Sequence, residues 1–414
     1  MTPLRRLIFS TLFLFVVVPV FPQEKKVQII IGSIDSIYSN VLKEGRRILV
    51  HMPMTQPDGY SEKQKLPVVY VLDGESLFQS VVTITEQLSG GSGNFMYPKM
   101  IIVGITNTDR TRDLTPTHST DSTIMPAFLL KNSGGGVRFL SFIEKELIPY
   151  MEKAYSASSY RILIGHSYGG LMSIYTMLNH NNLFNAYVAI DPSIWWDNQK
   201  LLKQSELILK KSNLNNNNLY LAIANTLSKG MTIQTVKKDK NVINLPIRSI
   251  LKLDDLIKMY KGYKLHYKSK FYNDYDHGSI PLVAVYDALP FILNFYTLHF
   301  PFSDFFNPLY KNDNILTTHF KKVSNTMGYE VLPPGELVNA LAHQLISTNQ
   351  LERAYKFFEL NIKNYPESFK PYDAMGDFYQ LKGDRTKAEE FYNKALSISE
   401  NPDIRIKIEK LKSN

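Results

Sequence analysis

The sequence contains no cysteine. Disulfide frameworks, thiolate zinc sites, iron–sulfur clusters and a cysteine nucleophile are all excluded on that ground. Dense blocks of one charge are missing too. The 47 Lys and Arg exceed the 38 Asp and Glu by nine, but they are spread along the chain. No nucleic-acid footprint is expected from such a distribution, and the excess would serve solubility or the steering of an anionic substrate. Beyond the first 23 residues no stretch is long and apolar enough to span a membrane. Tryptophan is almost absent, with two residues side by side at 195 and 196.

A content of 44% hydrophobic and 12% aromatic residues excludes a disordered chain. A length of 414 residues predicts two folded units. Residues 1–23 begin with Arg5 and Arg6, continue as an apolar run from Leu7 to Phe21, and end before Glu24-Lys25-Lys26. This run is short for a membrane span and reads as a secretory signal peptide, predicting an exported chain, periplasmic or secreted. Val18-Pro19-Val20-Phe21-Pro22-Gln23 lacks the small residues of a cleavage site. An uncleaved membrane anchor is therefore the alternative.

Residues 24–300 alternate short apolar runs with amphipathic segments. Strands are predicted at 27–31, 46–51, 67–72, 100–105, 160–164, 186–190, 219–224 and 265–272, and helices at 137–155, 169–178, 251–260 and 283–296. Runs such as Val68-Val69-Tyr70-Val71-Leu72 suit strands covered on both faces, hence a mostly parallel sheet. The expected fold is an α/β three-layer sandwich. Residues 301–334 read as an irregular, aromatic-rich connector. From 335 to 414 the pattern is helical and repeats: Ala354 and Ala388 are 34 apart, as are Phe358 and Tyr392. With Tyr372, Gly376, Tyr379 and Ala395, this segment resembles a small all-α tetratricopeptide tract of two repeats and a capping helix at 404–411. Two repeats are too few to be independently stable, so the tract should lean on the first domain. Partner binding and structural packing are both open as its role.

Gly165-His166-Ser167-Tyr168-Gly169 lies between a predicted strand and a predicted helix. A strand–turn–helix around G-x-S-x-G lifts the serine Oγ above the sheet edge, and the following helix N-terminus aims N–H groups at a developing oxyanion. Ser167 is thus the candidate nucleophile. A base is needed, and the sequence offers histidines at 51, 118, 166, 180, 266, 277, 299, 319 and 343. Only His277 follows the last predicted strand and precedes a helix, the context of the base in an α/β hydrolase. His166 reads as a support residue. A metal reading of Asp274, Asp276 and His277 would need a further ligand.

An acid should orient the base. The chain after strand 219–224 begins Asn225-Thr226-Leu227-Ser228 without a carboxylate, and Asp239 is the first acid on that excursion. Asp239 is the preferred candidate. Asp191, at the end of strand 186–190, is the second, and a Ser-His dyad is the third. The oxyanion hole is expected from the Tyr168 N–H and the loop Asp73-Gly74-Glu75, where Gly74 would allow close approach to the substrate. Trp195 and Trp196 could wall an acyl or aryl group. Arg110 and Arg112 could clamp an anion, or pair with Asp109 and Asp113.

Leu72-Asp73-Gly74, Gly165-His-Ser-Tyr-Gly169, Pro192-Ser-Ile-Trp-Trp196 and Asp276-His277-Gly278-Ser279, in this order, resemble the putative esterase (esterase D) family of α/β hydrolases, and within it the ferric-siderophore-esterase-like branch. The resemblance spans residues 27–299. It implies carboxylic-ester hydrolysis with Ser167 as nucleophile, His277 as base, and Tyr168 with the 73–75 loop as oxyanion donors. No cofactor or metal is implied. The expected substrate is a small-molecule or polymer-linked ester. Siderophore-type esters are favoured because Trp195, Trp196, Arg110 and Arg112 would suit a catecholate anion; feruloyl or acetyl polysaccharide esters are the alternative. A serine peptidase and a non-catalytic scaffold for a protein partner of the repeats are the competing readings.

Overall fold

The computed structural model describes residues 29–413, apart from 54–59, 61–64, 90–96, 212, 215, 261–264, 300 and 311. The predicted signal segment, residues 1–23, lies outside the described residues. Residues Gly32–Asn414 form one compact unit.

Eight strands make one sheet: β1 Ser33–Ser39, β2 Glu44–His51, β3 Leu66–Leu72, β4 Ile101–Ile105, β5 Ala157–His166, β6 Ala186–Ile190, β7 Asn218–Ala224 and β8 His266–Tyr272. Their order is β1-β2-β4-β3-β5-β6-β7-β8. β2 pairs antiparallel with β1 on one side and β4 on the other, and from β4 to β8 every pairing is parallel. The apolar runs explain this arrangement. β4 and β6 are buried at every position and β3 and β7 at all but the first, as strands covered on both faces must be. Of the first predicted strand, 27–31, residues 27 and 28 lie outside the described residues and 29–31 are not in a strand. Ile29 and Ile30 are exposed, and the edge strand starts at Ser33 with mixed polar residues, so no apolar run marks it.

One face is covered by helices Gly136–Phe142, Tyr168–Asn179 and Leu245–Tyr260, whose Phe139, Leu171 and Ile250 join the core there. The other carries helices Gly74–Leu88 and Ile280–Ile292. Between Phe142 and Ile148 the first of these stretches widens into a π turn, Ile143–Leu147. Among the described helices none is long and apolar enough to cross a membrane.

The segment predicted as an irregular connector holds a helix, Ile315–Met327, with Leu316, Phe320, Val323 and Met327 buried. That spacing puts all four on one face. Phe320, Val323 and Met327 pack under the sheet, while Leu316 packs among the helices that follow. Those helices form two hairpins, Gly335–Ser347 with Leu351–Asn364 and Lys370–Leu381 with Arg385–Ile398, and a last helix, Pro402–Ser413. Gly376 is required here: a Cβ on it would lie 2.4 Å from the Tyr392 ring. Tyr60, which lies between β2 and β3 in the chain, packs into the repeats. Its ring lies 5.0 Å from that of Tyr365, its hydroxyl accepts from Asn361 Nδ2 at 3.2 Å, and Gly335 touches its face.

Tyr60→Ala is expected to cost about 3 kcal/mol, and Tyr60→Phe about 1 kcal/mol through the lost hydrogen bond. Urea denaturation of the two variants checks both values. Equal losses would show that ring packing does not anchor the repeats.

Candidate active site

Ser167 stands between β5 and the helix Tyr168–Asn179 at φ 58°, ψ −114°. A non-glycine residue in this region is strained, and the surroundings hold it there. The turn closes so tightly that a Cβ on Gly165 would lie 2.2 Å from the Gly169 carbonyl oxygen. The Ser167 N–H donates to the Ile190 carbonyl (3.0 Å), and the Ser193 N–H donates to that of Ser167 (3.0 Å). The nucleophile elbow is thereby pinned to the end of β6. Ser167 Oγ lies 3.3 Å from Ser193 Oγ.

His277 follows β8 on a loop stapled by Asp276, whose carboxylate accepts from the Gly278 and Ser279 N–H groups and from Ser279 Oγ. These bonds, with Ser279 Oγ foremost, hold Asp276 below its ordinary pKa. The Asn225 N–H ties the end of β7 to the Tyr275 carbonyl. His277 Nδ1 lies 2.6 Å from Asp191 Oδ2. Asp191 is buried at the end of β6 with φ 39°. Its other carboxylate oxygen accepts the Ala224 N–H at 3.0 Å. The acid beside the base is therefore Asp191 and not Asp239. Asp239 Oδ2 is taken up by Asn244 Nδ2 (2.7 Å) and Arg248 Nη1 (3.5 Å), and its Oδ1 by the Asn241 N–H (3.2 Å). It staples the loop that leads into the helix Leu245–Tyr260.

The His166 ring packs against that of His277, with centroids 4.5 Å apart. Burial, reinforced by the neighbouring His277, pushes its pKa down to about 4. It is a neutral spacer beside the base.

Tyr168 and Gly74 each open a helix, so their N–H groups are among the four per helix without an intrahelical acceptor. The two helix starts adjoin: a Cβ on Gly169 would lie 3.5 Å from Asp73 Oδ2. Gly74 is demanded by the sheet rather than by close approach to a substrate, since a Cβ there would sit 2.5 Å from the Gly104 carbonyl carbon.

Ser167, Asp191 and His277 line a cleft of about 350 Å³ with Arg110, Tyr168 and Trp195. The two tryptophans part company. Trp195 faces the cleft, whereas Trp196 is buried against Tyr168 (5.1 Å between rings) and donates Nε1–H to the Thr117 carbonyl. The clamp expected from the arginines is not there. Arg112 makes a fork onto Glu44 (2.7 and 3.0 Å) and bonds Asp113 (2.7 Å), in a network with the buried Arg46 at the start of β2. Hydrogen bonds from Arg112 are the main reason that Glu44 is held down to about 2. Arg110 reaches the cleft, but its Nε and Nη2 are paired with Asp73 at 2.7 and 2.9 Å. Ser193, Met125, Thr226, Ile243, Pro246 and Ile250 complete the lining and had not been singled out. Only Ser193 had a signal in the sequence, inside the Pro192–Trp196 stretch; the others come from the loops at Met125 and Thr226, the turn at Ile243 and the helix Leu245–Tyr260.

The sequence model of the family described as "Putative esterase" matches residues 39–260, more than half of the chain. The chain belongs to this family. A tetratricopeptide repeat model matches residues 369–402, a repeat type consistent with a protein partner. A solved IroE-like serine hydrolase from Shewanella oneidensis is 29% identical with a TM-score of 0.64, over 80% of this chain and 98% of that one. The ferri-bacillibactin esterase BesA of Bacillus subtilis is 29% identical over 43% of this chain. The siderophore triacetylfusarinine C esterase of Aspergillus fumigatus is 27% identical over 39% of it. The chain spans 63% and 56% of the lengths of these two curated relatives.

Glu44 has its pKa lowered on folding, so its contribution to stability is complete above its unfolded pKa near 4.5 and is lost as pH falls towards about 2. Chemical denaturation at pH 7 and pH 3 should show wild type losing more stability on acidification than Glu44→Gln. Parallel losses would show that this network is not an acid-sensitive element.

Proposed function

We propose that the chain is a serine esterase acting on siderophore-type esters through an acyl-enzyme on Ser167. The observation that carries this reading is the 2.6 Å contact of Asp191 with His277, in the cleft that also holds Ser167 on its strained elbow. The esterase relatives support it, as does the aromatic wall at Trp195.

In this mechanism His277 Nε2 removes the Ser167 proton as Oγ bonds to the ester carbonyl carbon and the carbonyl electron pair moves onto oxygen. The bond from Ser167 to His277 forms on engagement of the substrate, when the hydroxyl leaves Ser193. The Tyr168 N–H and the first turn of Gly74–Leu88 donate to the oxyanion. As the tetrahedral species collapses, the ester C–O bond breaks and His277 Nε2 returns the proton to the leaving alkoxide. Water, deprotonated by His277, then releases the acid and restores Ser167. Asp191 keeps the Nδ1–H tautomer and stabilises the imidazolium.

Hydrolysis of p-nitrophenyl esters tests the assignment. Ser167→Ala is expected to lower kcat by about 10³ or more, and Asp191→Asn by about 10² to 10⁴. Asp239→Asn should lose far less than Asp191→Asn. The reverse order would return the acid to Asp239. Export through residues 1–23 belongs to the same proposal. N-terminal sequencing of the protein recovered outside the cytoplasm should begin after Gln23, and accumulation of the intact chain in the cytoplasm would remove export from it.

A further inference from the structure

The cleft beside Ser167 is unusual in how its charges are used. Arg110 and Asp191 carry formal charge among the described lining residues, apart from the titratable His277. Asp191 is committed to His277. Arg110 is committed to Asp73 by two parallel hydrogen bonds, and its guanidinium lies over the Tyr168 ring at 5.1 Å. Asp73 is 7% exposed. The fork balances the guanidinium charge, so an anionic group reaching the N–H groups of Arg110 outside it would meet a neutral pair and, across the cleft, the Asp191 carboxylate. The remaining wall is mostly apolar, with Met125, Trp195, Ile243, Pro246 and Ile250 beside the neutral hydroxyls of Ser193 and Thr226. At the mouth, Val242 and Ile243 are 42% and 71% exposed. They sit on a short 3-10 turn fixed by the Asn241 side chain, which accepts the Ile243 N–H at 3.1 Å. An apolar residue held out to water at the rim of a reactive cleft is suited to being covered by the substrate.

Resting on the esterase reading above, and narrowing its siderophore-type substrates to those with an uncharged acyl part, we infer that this site selects an uncharged, apolar acyl group and discriminates against an anionic one, catecholate anions included. The acyl portion lies along Trp195, Ile243 and Ile250. Arg110 acts as the structural partner of Asp73 and not as an anion receptor. The positive net charge of the chain is thus not concentrated at the scissile ester.

The test compares p-nitrophenyl 4-isopropylbenzoate with p-nitrophenyl 4-carboxybenzoate. The two acyl groups have the same number of heavy atoms and differ in charge, and the rigid ring prevents the carboxylate from attacking its own ester. Wild type is expected to favour the neutral ester in kcat/KM by about tenfold or more, since a carboxylate would give up water for a mostly apolar cleft whose one cation is already paired. Ile243→Lys, at an exposed position that folding tolerates, is expected to narrow or reverse the ratio. Equal turnover of the two esters by wild type, or preference for the carboxylate, overturns the inference and leaves the esterase reading standing. Failure of a fluorophosphonate to label Ser167, with neither ester hydrolysed, defeats the esterase reading itself.

Discussion

The site depends on the backbone of Asp191. At the end of β6 this residue turns into the left-handed region, donates its N–H to the Ala222 carbonyl, and accepts the Ala224 N–H on one carboxylate oxygen. β6 and β7 are thereby locked at their C-terminal ends, with the second carboxylate oxygen left to meet His277. One buried side chain joins the ends of β6 and β7 to the loop after β8 and meets the imidazole there. The Ser167 turn hangs on the same strand end through Ile190 and Ser193. Strain at Ser167 and at Asp191 is borne by a shared set of backbone hydrogen bonds.

The sheet was legible because its central strands are buried on both faces and are therefore apolar without interruption. The elbow was legible because G-x-S-x-G is a local geometric demand: Gly165 must tolerate the Gly169 carbonyl, and no other residue can. His277 followed from its place after the last strand. The acid was harder. Asp191 and Asp239 both lie downstream of Ser167 on chain that returns to the sheet edge, and only the distance to His277 separates them. Nothing local to Asp239 foretells that Asn244 and Arg248 take up its carboxylate. The arginines illustrate the same limit. Arg110 and Arg112 are two residues apart, yet one faces the cleft and the other joins Glu44, which lies far away in sequence. Gly74 was marked for close approach to a substrate, whereas its near neighbour is the Gly104 backbone.

The edge strand and the helix Ile315–Met327 were missed for opposite reasons. β1 exposes one side to water and so carries no apolar run. The helix has a clean apolar face, but its aromatic surroundings hide the period. That helix matters, because its two ends belong to different cores: Phe320, Val323 and Met327 to the sheet, and Leu316 to the repeats. With Tyr60 it converts a repeat tract too short to stand alone into part of one compact unit.

The Tyr60–Asn361 hydrogen bond joins residues 301 apart in sequence, and this has a consequence for synthesis. A nascent chain elongating at about 5–20 residues per second exposes Tyr60 for roughly 15–60 s before its partners emerge. Once β8, His266–Tyr272, has emerged the sheet can close, while the seat of the repeats is still bare. That seat is covered only when the C-terminal helices arrive, so this join closes last in synthesis.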